Sequence, residues 1–143
     1  MGIRVCKFGG SSVADAGQMG KVRAIVDAED DRRFVVPSAP GKRSADDIKI
    51  TDLLYRTNDA AAAGESIEPL FDQIADRYRK IVADLGLDFD LDSDLAEVHD
   101  RIAGGAGPDY AASRGEYLSG VILSKLLDRC LLYTSPSPRD IGE

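Results

Sequence analysis

Apolar residues along the chain fall into short β-branched runs near the start and longer stretches with helical spacing after them. The first run, Ile3-Arg4-Val5-Cys6-Lys7-Phe8, is broken by a lysine and empties into Gly9-Gly10-Ser11-Ser12-Val13. It predicts a buried strand that runs into a tight loop. Met19, Val22, Ile25 and Val26 then share one face of a helix over 15–27, weakened but not forbidden by Gly17 and Gly20. Arg33-Phe34-Val35-Val36 lies between a charged stretch and Pro37-Ser38-Ala39-Pro40-Gly41, so it predicts a second strand with a loop at its end. Strand, helix and strand at this spacing form a βαβ unit. That unit places Lys7–Ser12 and Ser38–Gly41 at the same carboxyl edge of a parallel sheet, where ligands collect in open α/β folds.

Beyond residue 48 the pattern is helical. Ile50, Leu53 and Leu54 form an apolar cluster in a helix over 48–63, and Thr51 stands at its entry. The Thr51 hydroxyl either caps that helix or faces the cleft at the sheet edge. Ile67, Leu70, Phe71, Ile74, Tyr78, Ile81, Val82 and Leu85 keep the i, i+3, i+4, i+7 spacing of a long core helix, with Ser66 as its N-cap and Pro69 in its first turn. The acidic run Asp88-Phe89-Asp90-Leu91-Asp92-Ser93-Asp94 lacks the central glycine and closing glutamate of a calcium loop. It reads better as the start of a helix carrying Leu95, Val98 and Ile102, with its acids at the positive end of the dipole. His99 lies on the polar side of that helix with no nucleophile pattern beside it, as a solvated histidine would. Gly104-Gly105-Ala106-Gly107 predicts a turn, and Leu118, Val121, Ile122 and Leu126 mark the buried face of a last helix over 112–127. Glu116 then falls in the first turn of that helix, where a carboxylate is electrostatically favourable; a ligand role is equally open.

Composition narrows the field of partners. The 143 residues are 43% hydrophobic and 30% charged, the range of an ordinary folded domain. A net charge of −7 argues against a nucleic-acid partner, which would need clustered lysine and arginine. The two cysteines, Cys6 and Cys130, form no CxxC pair, so neither a disulfide frame nor a zinc site is expected. No stretch approaches ~20 apolar residues and no basic leader precedes an apolar one. A reduced, cytoplasmic and membrane-free setting is the expectation.

The opening loop carries the chemistry. Paired glycines remove the Cβ atoms that would hold a phosphate away from backbone N–H groups, Ser11 and Ser12 add hydroxyl donors, and Lys7 can neutralise the phosphate's charge. An ordinary strand-to-helix turn with a surface lysine fits the same residues. The Gly41-Lys42 pair is not a P-loop, because Val36 and Arg43 stand where a glycine and a serine or threonine would be needed. Gly104–Gly107 likewise does not fit the G-x-G-x-x-G fingerprint.

Four segments together resemble the amino-acid kinases, and within them the aspartate kinases: Lys7-Phe8-Gly9-Gly10-Ser11-Ser12-Val13, Val35-Val36-Pro37-Ser38-Ala39-Pro40-Gly41-Lys42, Lys49-Ile50-Thr51-Asp52-Leu53-Leu54, and Ser113-Arg114-Gly115-Glu116 followed by Leu118 and Ser119. They occur in the family's order over residues 2 to about 130. The resemblance implies an α/β fold, a three-layer αβα sandwich of the carbamate kinase-like type, here incomplete, with 64–107 as a mainly helical insertion. It implies transfer of the γ-phosphoryl of ATP to the β-carboxylate of L-aspartate, giving 4-phospho-L-aspartate for lysine, threonine and methionine synthesis. Lys7 is then the catalytic cation, and Lys7, Phe8, Gly9, Gly10, Ser11 and Ser12 bind ATP. Ser38 and Thr51 bind the substrate aspartate, and Glu116 holds its α-ammonium. Magnesium is implied along with ATP, without a protein ligand that these residues single out. A homo-oligomer is implied for full-length members.

Two departures qualify the match. Pro37 stands where a small residue is more usual, and the end of the chain, Leu131–Glu143, does not resemble family sequence. Tyr133-Thr134-Ser135-Pro136-Ser137-Pro138-Arg139-Asp140 resembles translated adapter or vector sequence, expected to be extended or disordered. The chain is therefore expected to be a fragment holding half of the site and inactive by itself. Another amino-acid kinase, of glutamate, acetylglutamate or a nucleoside monophosphate, and a non-catalytic binding module of the same fold both stay open at this point.

Overall fold

The apolar run at the start and the β-branched run at 34–36 pair as parallel strands. In the computed structural model, which describes residues 2–127, β1 (Arg4–Phe8) sets Val5 opposite Phe34, Cys6 opposite Val35, Lys7 opposite Val36 and Phe8 opposite Pro37 of β2 (Arg32–Pro37). Between them lie a short 3-10 turn, Gly10–Val13, and helix α1 (Ala16–Asp27). Four further helices follow: α2 (Ile50–Ala62), α3 (Glu68–Leu85), α4 (Asp92–Ala103) and α5 (Pro108–Leu127). The fold is α/β and mostly helical, with a small parallel sheet. The residues 128–143, which include Cys130 and the non-family stretch, lie outside the described residues.

Helices α1, α3 and α4 start where the sequence supplies a reason. Asp15 caps α1, its side chain accepting the backbone N–H of Gln18 at 2.9 Å. At the head of α3 the Ser66 hydroxyl accepts from the Glu68 N–H, and Pro69 occupies a position where no N–H is needed. Asp90 accepts from Ser93 at the head of α4, and Asp92 and Asp94 lie in its first turn. A left-handed Gly86 ends α3, and Gly105 and Gly107, both at positive φ, make the turn into α5.

One core joins these elements. Leu53 and Leu54 of α2 meet Ile74, Tyr78 and Ile81 of α3, with Leu95, Val98 and Ile102 of α4 and Leu118 and Ile122 of α5 in the same cluster. The sheet contributes Phe8 and Val35. Because successive strand residues point to opposite faces, Val5 and Lys7 face away from that core. Val5 is 66% exposed, so the opening strand is not buried throughout as expected; only Phe8 of its five residues is. The cause is partial cover: among the described residues β1 has one neighbouring strand and one packed face. Ile25 also differs from expectation at 47% exposed. The buried stripe of α1 is Met19, Val22 and Val26, and Ile25 lies about 100° round the helix from Val26.

His99 is half-buried rather than solvated. Its Nδ1 lies 2.9 Å from Asp100 Oδ1 and its Nε2 lies 2.7 Å from Glu68 Oε2, which ties α4 to the head of α3, and its ring meets Phe71 edge-on. The hydrogen bonds to Asp100 and Glu68 hold its pKa above the usual histidine value. Among the described residues no helix is long and apolar enough to cross a membrane.

The unequal cover of the two sheet faces is measurable. Val35→Ala should lower unfolding free energy by about 2 kcal/mol, whereas Val5→Ala should change it by less than about 0.5 kcal/mol, both read from urea denaturation midpoints at unchanged m-value.

Candidate active site

The loops at the carboxyl ends of the two strands meet. Ser38 N–H donates to Phe8 O at 3.0 Å, which continues the ladder one step past the strands, and Gly41 N–H donates to Gly10 O at 2.9 Å. The contact is too close for side chains. A Cβ on Gly10 would lie 3.0 Å from Ala39 O, and one on Gly41 would lie 3.0 Å from the carbonyl carbon of Gly10. Gly10 and Gly41 are therefore accounted for by packing. Gly9 is different: its φ is −73°, and a Cβ there would meet nothing within 4 Å. Nothing in the described fold requires glycine at 9, so its open side is the place where a ligand could approach the backbone.

The same loop receives the next two elements. Ile50 N–H donates to Pro40 O at 3.0 Å, which fastens the head of α2 to the loop and brings Thr51 to the sheet edge. Thr51 is not the cap of α2: the cap position is Lys49, and Thr51 is the second helical residue. Among the described residues its half-buried hydroxyl makes no hydrogen bond, so it is free for a ligand. On the other side α5 packs on Ala39 through Gly115, where a Cβ would come within 2.5 Å of the Ala39 Cβ. Tyr78, fully buried on α3, donates its hydroxyl to Gly115 O at 2.8 Å and fixes α5 at that point.

Glu116 follows directly, and its setting corrects the sequence expectation. Because α5 begins at Pro108, after the positive-φ Gly107, Glu116 lies in the middle of the helix and not in its first turn. The polar residues before it are helical because they are engaged. Arg101 and Arg114 stack on the Tyr110 ring, and Arg114 also lies 4.8 Å from the Tyr117 ring. A dipole account of Glu116 is thereby removed. Its pKa is raised by burial, and the charge of Lys7 pulls it back down. Lys7 is exposed and among the described residues makes no ion pair within 4 Å. Ser11 is exposed and Ser12 half-buried.

Lys7, the Gly9–Ser12 turn, Ser38, Thr51 and Glu116 thus gather at one sheet edge, with a cation at one end and a carboxylate at the other. A separate cavity of about 410 Å³, lined by Arg43, Asp47, Gln73, Arg77 and Lys80 among others, lies behind the 42–48 segment and contains none of them. Among the described residues no three histidine, cysteine, aspartate or glutamate side chains cluster as a metal site. Sequence reasoning did not identify Arg77, an arginine on the apolar stripe of α3. Its guanidinium donates to Ala14 O, Gly41 O and Ile48 O.

Comparison with known proteins follows the same lines. No protein-family model matches the chain. Aspartokinase 3 of Bacillus subtilis is 42% identical over 85 residues, which is 59% of this chain and 19% of that protein. The crystal structure of the Clostridium acetobutylicum aspartate kinase superposes with a TM-score of 0.87 at 49% identity, covering 90% of this chain and 30% of that one. Escherichia coli aspartokinase III, solved in complex with aspartate and ADP, gives a TM-score of 0.70 at 28% identity over 88% of this chain and 29% of its own. The chain therefore spans less than a third of the length of these relatives.

The difference between neighbouring glycines gives a direct check of the loop contact. Gly10→Ala should cost about 1–3 kcal/mol of stability, because the atoms in its way are backbone, and Gly9→Ala should cost less than about 0.5 kcal/mol, both measured by chemical denaturation.

Proposed function

Starting from a chain that is homologous to the aspartokinases over the part of their length it spans, we propose that it carries the phosphate-binding and aspartate-binding portion of an ATP-dependent kinase. That kinase transfers the γ-phosphoryl group of ATP to the β-carboxylate of L-aspartate and releases 4-phospho-L-aspartate, a precursor for lysine, threonine and methionine synthesis. The observation that carries the proposal is the meeting of the two strand-end loops, Gly41 N–H on Gly10 O at 2.9 Å with α2 and α5 fastened to the same second loop, beside which stand Lys7 and Glu116, opposite in charge. A substrate with an anionic end and an ammonium end is complementary to that pair.

The chemistry asks little of the protein beyond placement and charge. The aspartate β-carboxylate is ionised at neutral pH and needs no general base to attack phosphorus. Negative charge builds on the phosphoryl oxygens, and the Lys7 ammonium together with backbone N–H groups at Gly9 and Gly10 can neutralise it. The Ser11 and Ser12 hydroxyls supply further donors. Ser38 and Thr51 offer hydroxyls to the aspartate, and Glu116 can hold the α-ammonium through a charge-assisted bond. Magnesium, when it accompanies the nucleotide, would neutralise phosphate charge. No step above depends on it.

The two ends should respond separately to substitution. In calorimetric titrations of the chain, Lys7→Ala should weaken ADP binding about tenfold or more and Glu116→Gln should weaken aspartate binding by a similar factor, each leaving the other ligand within about twofold. Wild-type aspartate affinity should also fall as pH drops from about 8 to about 5. Burial raises the Glu116 pKa, so the carboxylate that holds the ammonium is lost at a higher pH than an ordinary glutamate would be. A chain that binds neither ligand, or whose Lys7→Ala variant binds ADP unchanged, would contradict the proposal.

A further inference from the structure

Helix α3 carries a charge where its packing calls for a hydrocarbon. Ile74, Arg77 and Ile81 follow at i, i+3 and i+7 along the stripe that faces the core, and the Arg77 side chain is only 5% exposed. A leucine or methionine would fill this position without the desolvation cost of a guanidinium. Among the described residues Arg77 forms one ion pair, with Asp47 at 3.7 Å, but that carboxylate is shared: it also accepts two closer hydrogen bonds from the Arg43 side chain, at 2.7 and 3.0 Å.

The hydrogen bonds of Arg77 to described residues all go to backbone. One terminal nitrogen donates to both Ala14 O and Gly41 O, each at 2.8 Å, and the other donates to Ile48 O at 3.1 Å. Ala14 immediately follows the Gly10–Val13 turn, Gly41 is the residue bonded to Gly10, and Ile48 lies two residues before α2 and three before Thr51. One planar, rigid group therefore spans the segments that present the turn, the second loop and the Thr51 hydroxyl. The next residue on the same helix, Tyr78, holds the carbonyl that precedes Glu116.

We propose that Arg77 is a positioning residue: its guanidinium sets the spacing between the two glycine loops and the entry to α2, and through that spacing sets how tightly the edge grips the phosphates of a nucleotide. The ligand half of this inference rests on the function proposed above; the loop-spacing half does not. A lysine retains the charge but presents one ammonium instead of a fork, and it should hold fewer of the three carbonyls.

Three variants of the full chain separate positioning from plain stability: Arg77→Met, Arg77→Lys and Ile81→Ala, the last a core truncation one turn further along the same helix. Two readouts are needed, amide hydrogen exchange at Gly41 without ligand and ADP affinity by calorimetry. Arg77→Met should speed Gly41 exchange about tenfold or more while amides of α5 keep their protection, and should weaken ADP about tenfold. Arg77→Lys should fall between it and wild type, and decides the matter should Arg77→Met not fold. Ile81→Ala should lose global stability yet bind ADP within about twofold of wild type. The inference is overturned if Gly41 exchange in the arginine variants matches wild type, or if ADP affinity tracks stability alike in the arginine variants and Ile81→Ala. If wild type does not bind ADP, the kinase proposal fails, and Gly41 exchange still decides whether Arg77 sets the spacing.

Discussion

Two glycine backbones pressed together carry the rest of the structure. Gly41 N–H donates to Gly10 O at 2.9 Å, and neither residue has room for a Cβ against the other's chain. From that contact the remaining placements follow. The second loop is anchored to the first, α2 hangs its first turn from Pro40, and α5 closes on Ala39 through a third glycine, Gly115. A side chain at any of these three glycines would separate elements whose functional groups lie one or two residues away.

The anchoring comes from below the edge rather than from the edge itself. Helix α3 contributes no candidate ligand-binding group, yet consecutive residues on it hold the loop carbonyls (Arg77) and the α5 carbonyl beside Glu116 (Tyr78). Burial raises the Tyr78 pKa and so keeps its hydroxyl protonated as a donor, while burial pulls the Arg77 pKa down, which is the cost of holding a guanidinium in a dry setting. The groups proposed to meet substrate are instead more open: Lys7 is exposed and Ser38, Thr51 and Glu116 are half-buried. A buried polar scaffold beneath an accessible, lightly bonded rim lets the rim exchange ligand without loosening the fold.

The local elements were legible in the sequence because each carried its own punctuation: β-branched runs ending in glycine or proline, Ser66 and Pro69 at the head of α3, and the 3.6-residue stripes of α3 and α4. The meeting of Lys7–Ser12 with Ser38–Gly41 was legible too, since a βαβ unit leaves both loops at one edge. What sequence periodicity could not show was the extent of cover. Val5 and Ile25 have core character, but whether they are buried depends on which neighbours pack against them. Glu116 was placed in a first turn because the polar stretch before it looked like an entry. Stacking of Arg101 and Arg114 on Tyr110 extends α5 back to Pro108. Thr51 reads as either a cap or a cleft-facing hydroxyl; the chain enters α2 two residues earlier than a cap at 51 requires. Arg77 did leave a signal, a charge in the line from Ile74 to Ile81, but the signal marks a buried contact without naming its partners.

The central claim is that one sheet edge holds both a nucleotide's phosphates and the amino acid. Amide chemical-shift mapping of the chain during addition of ADP and then aspartate tests it most directly. The account predicts that ADP perturbs the amides of Lys7 and Gly9–Ser12, that aspartate perturbs Ser38, Thr51 and Glu116, and that the cavity lined by Arg43, Gln73 and Lys80 stays silent. Perturbations confined to that cavity, or the absence of any at the glycine turn, would contradict it.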